Sequence, residues 1–169
     1  MTGATVPRPT RRQLTLFLPP AQQAIVEPIR QRLDPRQHAL VPAHVTLCRD
    51  DELPSLDVVD RRLADLGAFA FTMRFSGPQR LADGAILLRP TLGTDSYQRV
   101  RQSILGSSAK VHGAHITLLH PRHVTDSTFD LSEIAPLLTG LTATFRIITL
   151  IEQCGQGPWR VRQEYGALT

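Results

Sequence analysis

Along the chain, runs with an apolar side chain at every second position alternate with runs where one recurs every third or fourth. These are the patterns of half-buried strands and of helices lying on a core. Gln13 to Leu18 starts with alternation, carries Thr15 and Phe17, and is closed by Pro19-Pro20, which predicts a strand. Ala24, Ile25, Ile29 and Leu33 then recur at helical spacing, and Pro28 within that stretch predicts a kink or two short pieces. A short β-prone run, Ala43 to Cys48, follows Pro42 and is closed by Asp50-Asp51-Glu52 and Pro54. Ser55 is placed to cap a helix through Leu66, with Leu56, Val59, Leu63 and Leu66 on one face and Gly67 as its stop. Phe69, Phe71, Met73 and Phe75 mark a half-buried strand, and Gly84 to Pro90 another.

The second half repeats that order. Thr94 caps a helix from about Asp95 to Leu105, ended by Gly106. A strand, Gly113 to Leu119, is closed by His120-Pro121, and a helix from Ser132 to Leu138 carries Pro136 as its weak point. Leu141 to Glu152 and Trp159 to Tyr165 read as the final strands. Within this order, Ala43-His44-Val45-Thr46-Leu47 and Ala114-His115-Ile116-Thr117-Leu118 differ only by a Val/Ile exchange and lie 71 residues apart. Such a period is too long for a solenoid and fits two similar lobes facing each other. The expected architecture is α+β, bilobal and pseudo-twofold, with residues 1–12 as a flexible arm and 13–169 as one bilobal domain.

Composition narrows this picture modestly. Of 169 residues 41% are hydrophobic, enough for a core, and no apolar run reaches the length of a bilayer span or a signal peptide. The expectation is a cytoplasmic protein with reduced Cys48 and Cys154, neither in a C-x-x-C pair. The formal charge is +4 and Lys110 is the only lysine. Arginine's planar fork suits phosphate better than a lysine point charge does. The arginines are nevertheless scattered, with no basic stripe like that of a duplex-DNA binder.

The chemistry lies in the repeat. Alternate residues of a strand share a face, so His44 and Thr46 point one way while Val45 and Leu47 point the other, and likewise for His115 and Thr117. If the lobes face each other, two imidazoles and two hydroxyls converge on one cleft. One neutral and one protonated imidazole can take a proton from an attacking water and give one to a departing oxygen. The hydroxyls can donate hydrogen bonds to the non-bridging phosphate oxygens. That scheme needs no metal and no cofactor.

The paired His-x-Thr-Leu motifs, together with the early strand running into Pro19-Pro20, resemble the two-histidine (2H) phosphoesterases, the 2′-5′ RNA ligase-like or cyclic phosphodiesterase proteins. The resemblance spans roughly residues 13 to 165. It implies two antiparallel sheets around a central groove with helices outside. It also implies a hydrolase acting on 2′,3′-cyclic phosphates of a nucleotide, an RNA end or an ADP-ribose derivative, usually leaving a 2′-phosphate. By position it makes His44 and His115 the catalytic pair and Thr46 and Thr117 the phosphate-binding pair. Relatives acting on RNA ends often have an arginine two places after the second leucine. His120 stands there in this chain, while Arg49 holds that offset after the first motif and is added to the phosphate-binding set. No tryptophan falls between the motifs, another departure from that branch. The expected partner is a cyclic-phosphate nucleotide or RNA end, the expected state a monomer off the membrane. A non-catalytic binding module and an RNA 2′-5′ ligase are the competing readings.

Other residues are weaker candidates. His112, His115, His120 and His123 are numerous enough for a metal cluster, but His112 and His115 face opposite ways on a strand and no Cys, Asp or Glu completes a zinc spacing. Arg122 follows the second motif strand as Arg49 follows the first. Phe17, Trp159 and Tyr165 are candidates for stacking a base.

Overall fold

The computed structural model describes residues 9–111, 113–125 and 128–166. Its elements in chain order are β1 (Thr10–Phe17), α1 (Pro20–Leu33), α2 (Pro35–Leu40), β2 (His44–Cys48), α3 (Leu56–Leu66), β3 (Phe71–Phe75), β4 (Gln79–Arg80), β5 (Ile86–Leu88), β6 (Pro90–Leu92), α4 (Thr94–Leu105), β7 (Ile116–Leu119), α5 (Ala135–Leu138), β8 (Thr142–Phe145), β9 (Ile148–Cys154) and β10 (Arg160–Tyr165). The strands form a seven-stranded sheet, β10-β9-β1-β2-β7-β5-β4, and a three-stranded sheet, β6-β3-β8, both antiparallel. The class is α+β with two antiparallel sheets, as expected. No helix among the described residues is long and apolar enough to cross a membrane.

The duplication differs in one respect from two lobes that each hold a motif strand. β2 and β7 are neighbours in the larger sheet, with Val45 opposite Ile116. These are the middle residues of the two motifs, so the approximate twofold axis passes between them. β3 and β8 pair likewise in the smaller sheet, where the Thr72 and Thr144 hydroxyls are 2.7 Å apart. The helices are exchanged too: α1 of the first half packs on β7, and α4 of the second packs on β2. One hydrophobic cluster therefore runs through both halves. Val45, Leu47, Ile116 and Leu118, at most 1% exposed, form the inward face of the motif strands.

Several element boundaries move, each for a tertiary reason. β1 begins at Thr10 because Thr10, Arg11 and Arg12 pair with Cys154, Gln153 and Glu152, so these three residues are strand rather than arm. Residues 1–8 of the expected arm lie outside the described residues. α1 is one helix through Pro28, since Val26, Ile29 and Arg30 are all buried and hold it to the core on both sides of the proline. The run 84–90 divides between β5 and β6, and 141–152 between β8 and β9, each pair entering different sheets. Pro136 confines the last helix to Ala135–Leu138, preceded by a single 3₁₀ turn at Leu131–Glu133. Gly67 and Gly106 end α3 and α4 as expected, but the Ser55 hydroxyl makes no capping bond, and Gly93 rather than Thr94 holds the cap position of α4. Gly93 has φ +92°, and a Cβ there would lie 2.3 Å from the Thr72 carbonyl oxygen. Only glycine fits that turn.

A buried ion pair ties α4 to the end of β2. Arg101, fully buried, donates from Nη2 to Glu52 Oε1 (2.6 Å) and to the Lys110 carbonyl (2.8 Å), and from Nη1 to the Leu47 carbonyl. Glu52 follows β2 in what the sequence presents as an acidic loop, yet its side chain is 5% exposed. Removing one member of such a pair strands a buried charge. Glu52→Ala is expected to lower unfolding stability by about 3–5 kcal/mol, measured by urea denaturation, whereas Asp51→Ala on the exposed side of the same loop should change it little.

Candidate active site

Strand alternation delivers the four motif side chains to one face. In β2, Val45 and Leu47 are buried while His44 and Thr46 are half-buried, and around β7 Ile116 and Leu118 are buried while His115 and Thr117 are half-buried. Extending the register from Val45 opposite Ile116 sets His44 across from Thr117 and Thr46 across from His115. All four line one groove of about 710 Å³, floored by the seven-stranded sheet and walled by the end of α1 and by α2. The groove also takes in Arg11, Arg30, Arg36 and Arg122, and no carboxylate is among its described lining residues. It is a basic surface suited to an anion.

Both imidazoles are oriented in the same way. His44 Nδ1 lies 2.7 Å from the Pro42 carbonyl and His115 Nδ1 lies 2.9 Å from the Gly113 carbonyl, two residues upstream in each case. A carbonyl only accepts, so each Nδ1 carries its proton and each Nε2 is the basic nitrogen of its ring. The Gln13 amide, itself donating to Thr15 Oγ1, approaches His44 Nε2 at 3.5 Å.

The segment leading into β2 is braced by α1. Gln23 Nε2 donates to the Ala43 carbonyl (2.8 Å), Glu27 accepts from the Ala43 N–H, and Arg30 donates to the Val41 carbonyl (3.0 Å) while pairing with Glu27 (2.9 Å). Arg30 and Arg101 are 71 residues apart, the offset that separates His44 from His115, and both are buried with a guanidinium bond to the chain leading into a motif strand. The sequence carried that signal in the repeat itself, outside the five-residue motifs. Burial, with smaller effects from nearby Arg30 and the His115 ring, pushes His44 down from 6.5 to about 4 against the raising effect of the Pro42 bond. His44 is therefore neutral throughout the neutral range.

Residues beyond the motifs divide. Arg49, expected among the phosphate-binding residues, is not among the residues lining the groove: it lies past the far end of β2, exposed and paired with Asp51 at 3.2 Å. Arg122, by contrast, lines the groove together with His120 and His123. Buried Asp34 organises this corner, accepting from His123 Nδ1 (2.8 Å), from the His120 N–H (2.9 Å) and from the Gln37 N–H (2.9 Å). Asp34 belongs to the α1–α2 junction, so nothing in its local sequence announced the contact. The His120 and His123 rings are 5.5 Å apart, and desolvation followed by the charges of His123 and Arg122 lowers the His120 pKa. Of the four histidines weighed for a metal cluster, His112 lies outside the described residues. Among the described residues no group of three His, Cys, Asp or Glu is placed to hold a metal ion. Of the aromatic candidates, Trp159 lines the groove, Phe17 meets His44 edge-on at 6.1 Å, and Tyr165 donates to Asp60 without lining the groove.

The fold has counterparts among solved structures. The fold matches E. coli LigT complexed with phosphate at a TM-score of 0.66 and 16% identity, covering 96% of this chain and 99% of that one. It matches E. coli LigT complexed with 3′-AMP at 0.67 and 14%, covering 95% and 99%. The protein TT0787 of Thermus thermophilus matches at 0.65 and 18%, covering 92% and 97%. No curated protein sequence matches the chain. A family model described as the 2′-5′ RNA ligase superfamily matches residues 18–111, a span that takes in the first motif and stops just before the second. That match covers more than half of the sequence, and the chain belongs to the 2′-5′ RNA ligase superfamily of two-histidine phosphoesterases.

Proposed function

We propose that this chain hydrolyses a 2′,3′-cyclic phosphate, carried by a nucleotide, an RNA end or an ADP-ribose derivative, to a 2′-phosphate, with His44 and His115 as its acid–base pair. The observation that carries the reading is the matched locking of the two imidazoles. Each donates Nδ1–H to a carbonyl two residues upstream and turns Nε2 toward a basic groove shared with two threonines. E. coli LigT, of the same fold, is known in complex with phosphate and with 3′-AMP, which supports a phosphate-bearing nucleotide as the ligand.

Burial lowers the His44 pKa and leaves its Nε2 unprotonated near neutrality, which suits it to the part of base. Its Nε2 takes a proton from water as the water oxygen bonds to phosphorus. The bond from phosphorus to O3′ breaks, and protonated His115 gives its Nε2 proton to O3′. Thr46 and Thr117 donate to the non-bridging oxygens as charge builds there. Both proton transfers are carried by imidazole, so neither step calls on a metal ion.

Two measurements test this. In excess chelator, wild-type protein should convert 2′,3′-cyclic nucleotides to 2′-phosphates, and His44→Ala and His115→Ala should each lower the rate by roughly 10²–10⁴-fold. Unchanged turnover in either variant removes that histidine from the mechanism, and tight binding without product across a cyclic-phosphate panel defeats hydrolysis altogether. In the pH profile of kcat/KM, protonation of His44 sets the acid side, so activity should persist below 6.5 and fall only as the pH approaches about 4. An acid limb centred near 6.5 would sink the assignment of His44 as base.

A further inference from the structure

The groove extends well past the motif strands, toward the β10 edge of the sheet, where it is lined by Trp159 and Arg11. The Arg11 guanidinium carbon lies 5.5 Å from the centre of the Trp159 ring, which makes a cation–π pair. Both members are held from beneath by Gln153, a polar side chain only 3% exposed. Its Oε1 accepts from Arg11 Nη2, and its Nε2 donates to the Gly157 carbonyl (2.6 Å) in the turn that carries the tryptophan. The Trp159 N–H is fixed to the Leu40 carbonyl at 2.9 Å, which joins this turn to the opposite wall of the groove. Arg11 has no carboxylate partner among the described residues.

A partly exposed indole and a guanidinium without an acidic partner, both pre-positioned in the cleft that holds the four motif residues, supply two planar stacking surfaces and one positive charge. Nucleobases stack on such surfaces. We infer that Trp159 and Arg11 form a nucleobase-binding subsite, so that the substrate is a nucleotide or RNA end recognised through its base as well as through its phosphate. This rests on the phosphoester reading of the groove. Trp159 is bonded through its backbone N–H to Leu40 on the groove wall, so a base on the platform and a phosphate at the motif residues would occupy one cleft.

The experiment uses the fact that Trp159 is the only tryptophan of the chain. Intrinsic fluorescence of the full chain is followed while it is titrated with 2′-AMP, with a dinucleotide ending in a 2′-phosphate, with ribose 5-phosphate and with inorganic phosphate. The nucleotides should quench the indole, the dinucleotide at lower concentration, whereas the base-free phosphates should leave it unchanged. By calorimetry, Trp159→Ala should weaken dinucleotide binding by roughly 5- to 150-fold, the equivalent of the about 1–3 kcal/mol of one stacked base. Trp159→Phe should retain most of the affinity, and inorganic phosphate should bind all three proteins alike. Equal affinity for nucleotide and ribose phosphate, or an undiminished affinity in Trp159→Ala, would overturn the subsite while leaving hydrolysis of cyclic phosphates standing. Quenching by nucleotides with no turnover of any cyclic phosphate would uphold the subsite and defeat hydrolysis instead.

Discussion

Most of this structure depends on the antiparallel pairing of two neighbouring strands, β2 and β7, with Val45 facing Ile116. A one-residue slip in that register would turn every side chain of one strand to the other face. The buried face prevents the slip, because it would bring His44 and Thr46 into the core in place of Val45 and Leu47. The same aliphatic packing that stabilises the fold therefore sets the spacing of the two imidazoles. The exchange of α1 and α4 across the axis makes this cooperative, since each motif strand is covered by the helix of the other half.

Buried arginines extend the duplication from the strands to the chain that feeds them. Arg30 and Arg101 occupy equivalent places on α1 and α4 and bond to backbone carbonyls ahead of the motif strands. Their acidic partners are not equivalent: Glu27 lies one turn earlier on α1, whereas Glu52 comes from the loop after β2. Burial of His44, with Arg30 nearby, lowers its pKa.

Other parts of the groove lie outside the duplication. Its Trp159 and Arg11 come from the β10 edge and β1, and its His120, Arg122 and His123 from the turn after β7, organised by Asp34 from the far side. These unrepeated parts surround a repeated centre.

What the sequence determined by itself was local and periodic. Strand alternation fixed which residues share a face, so the grouping of His44 with Thr46 and of His115 with Thr117 was legible in five residues each, and the duplication indicated a single site. Gly67 and Gly106 marked helix ends because no other residue takes those backbone angles as readily. Tertiary structure decided whatever required partners distant in sequence. It drew Thr10–Arg12 into β1 through β9, carried α1 past Pro28, and split two apolar runs between sheets. It turned Arg49 away to Asp51 and brought Trp159, Arg11 and Asp34 to the groove. The physical reason is that periodicity reports which way a side chain points from its own strand. Only the pairing of strands and the packing of helices determine what it then meets.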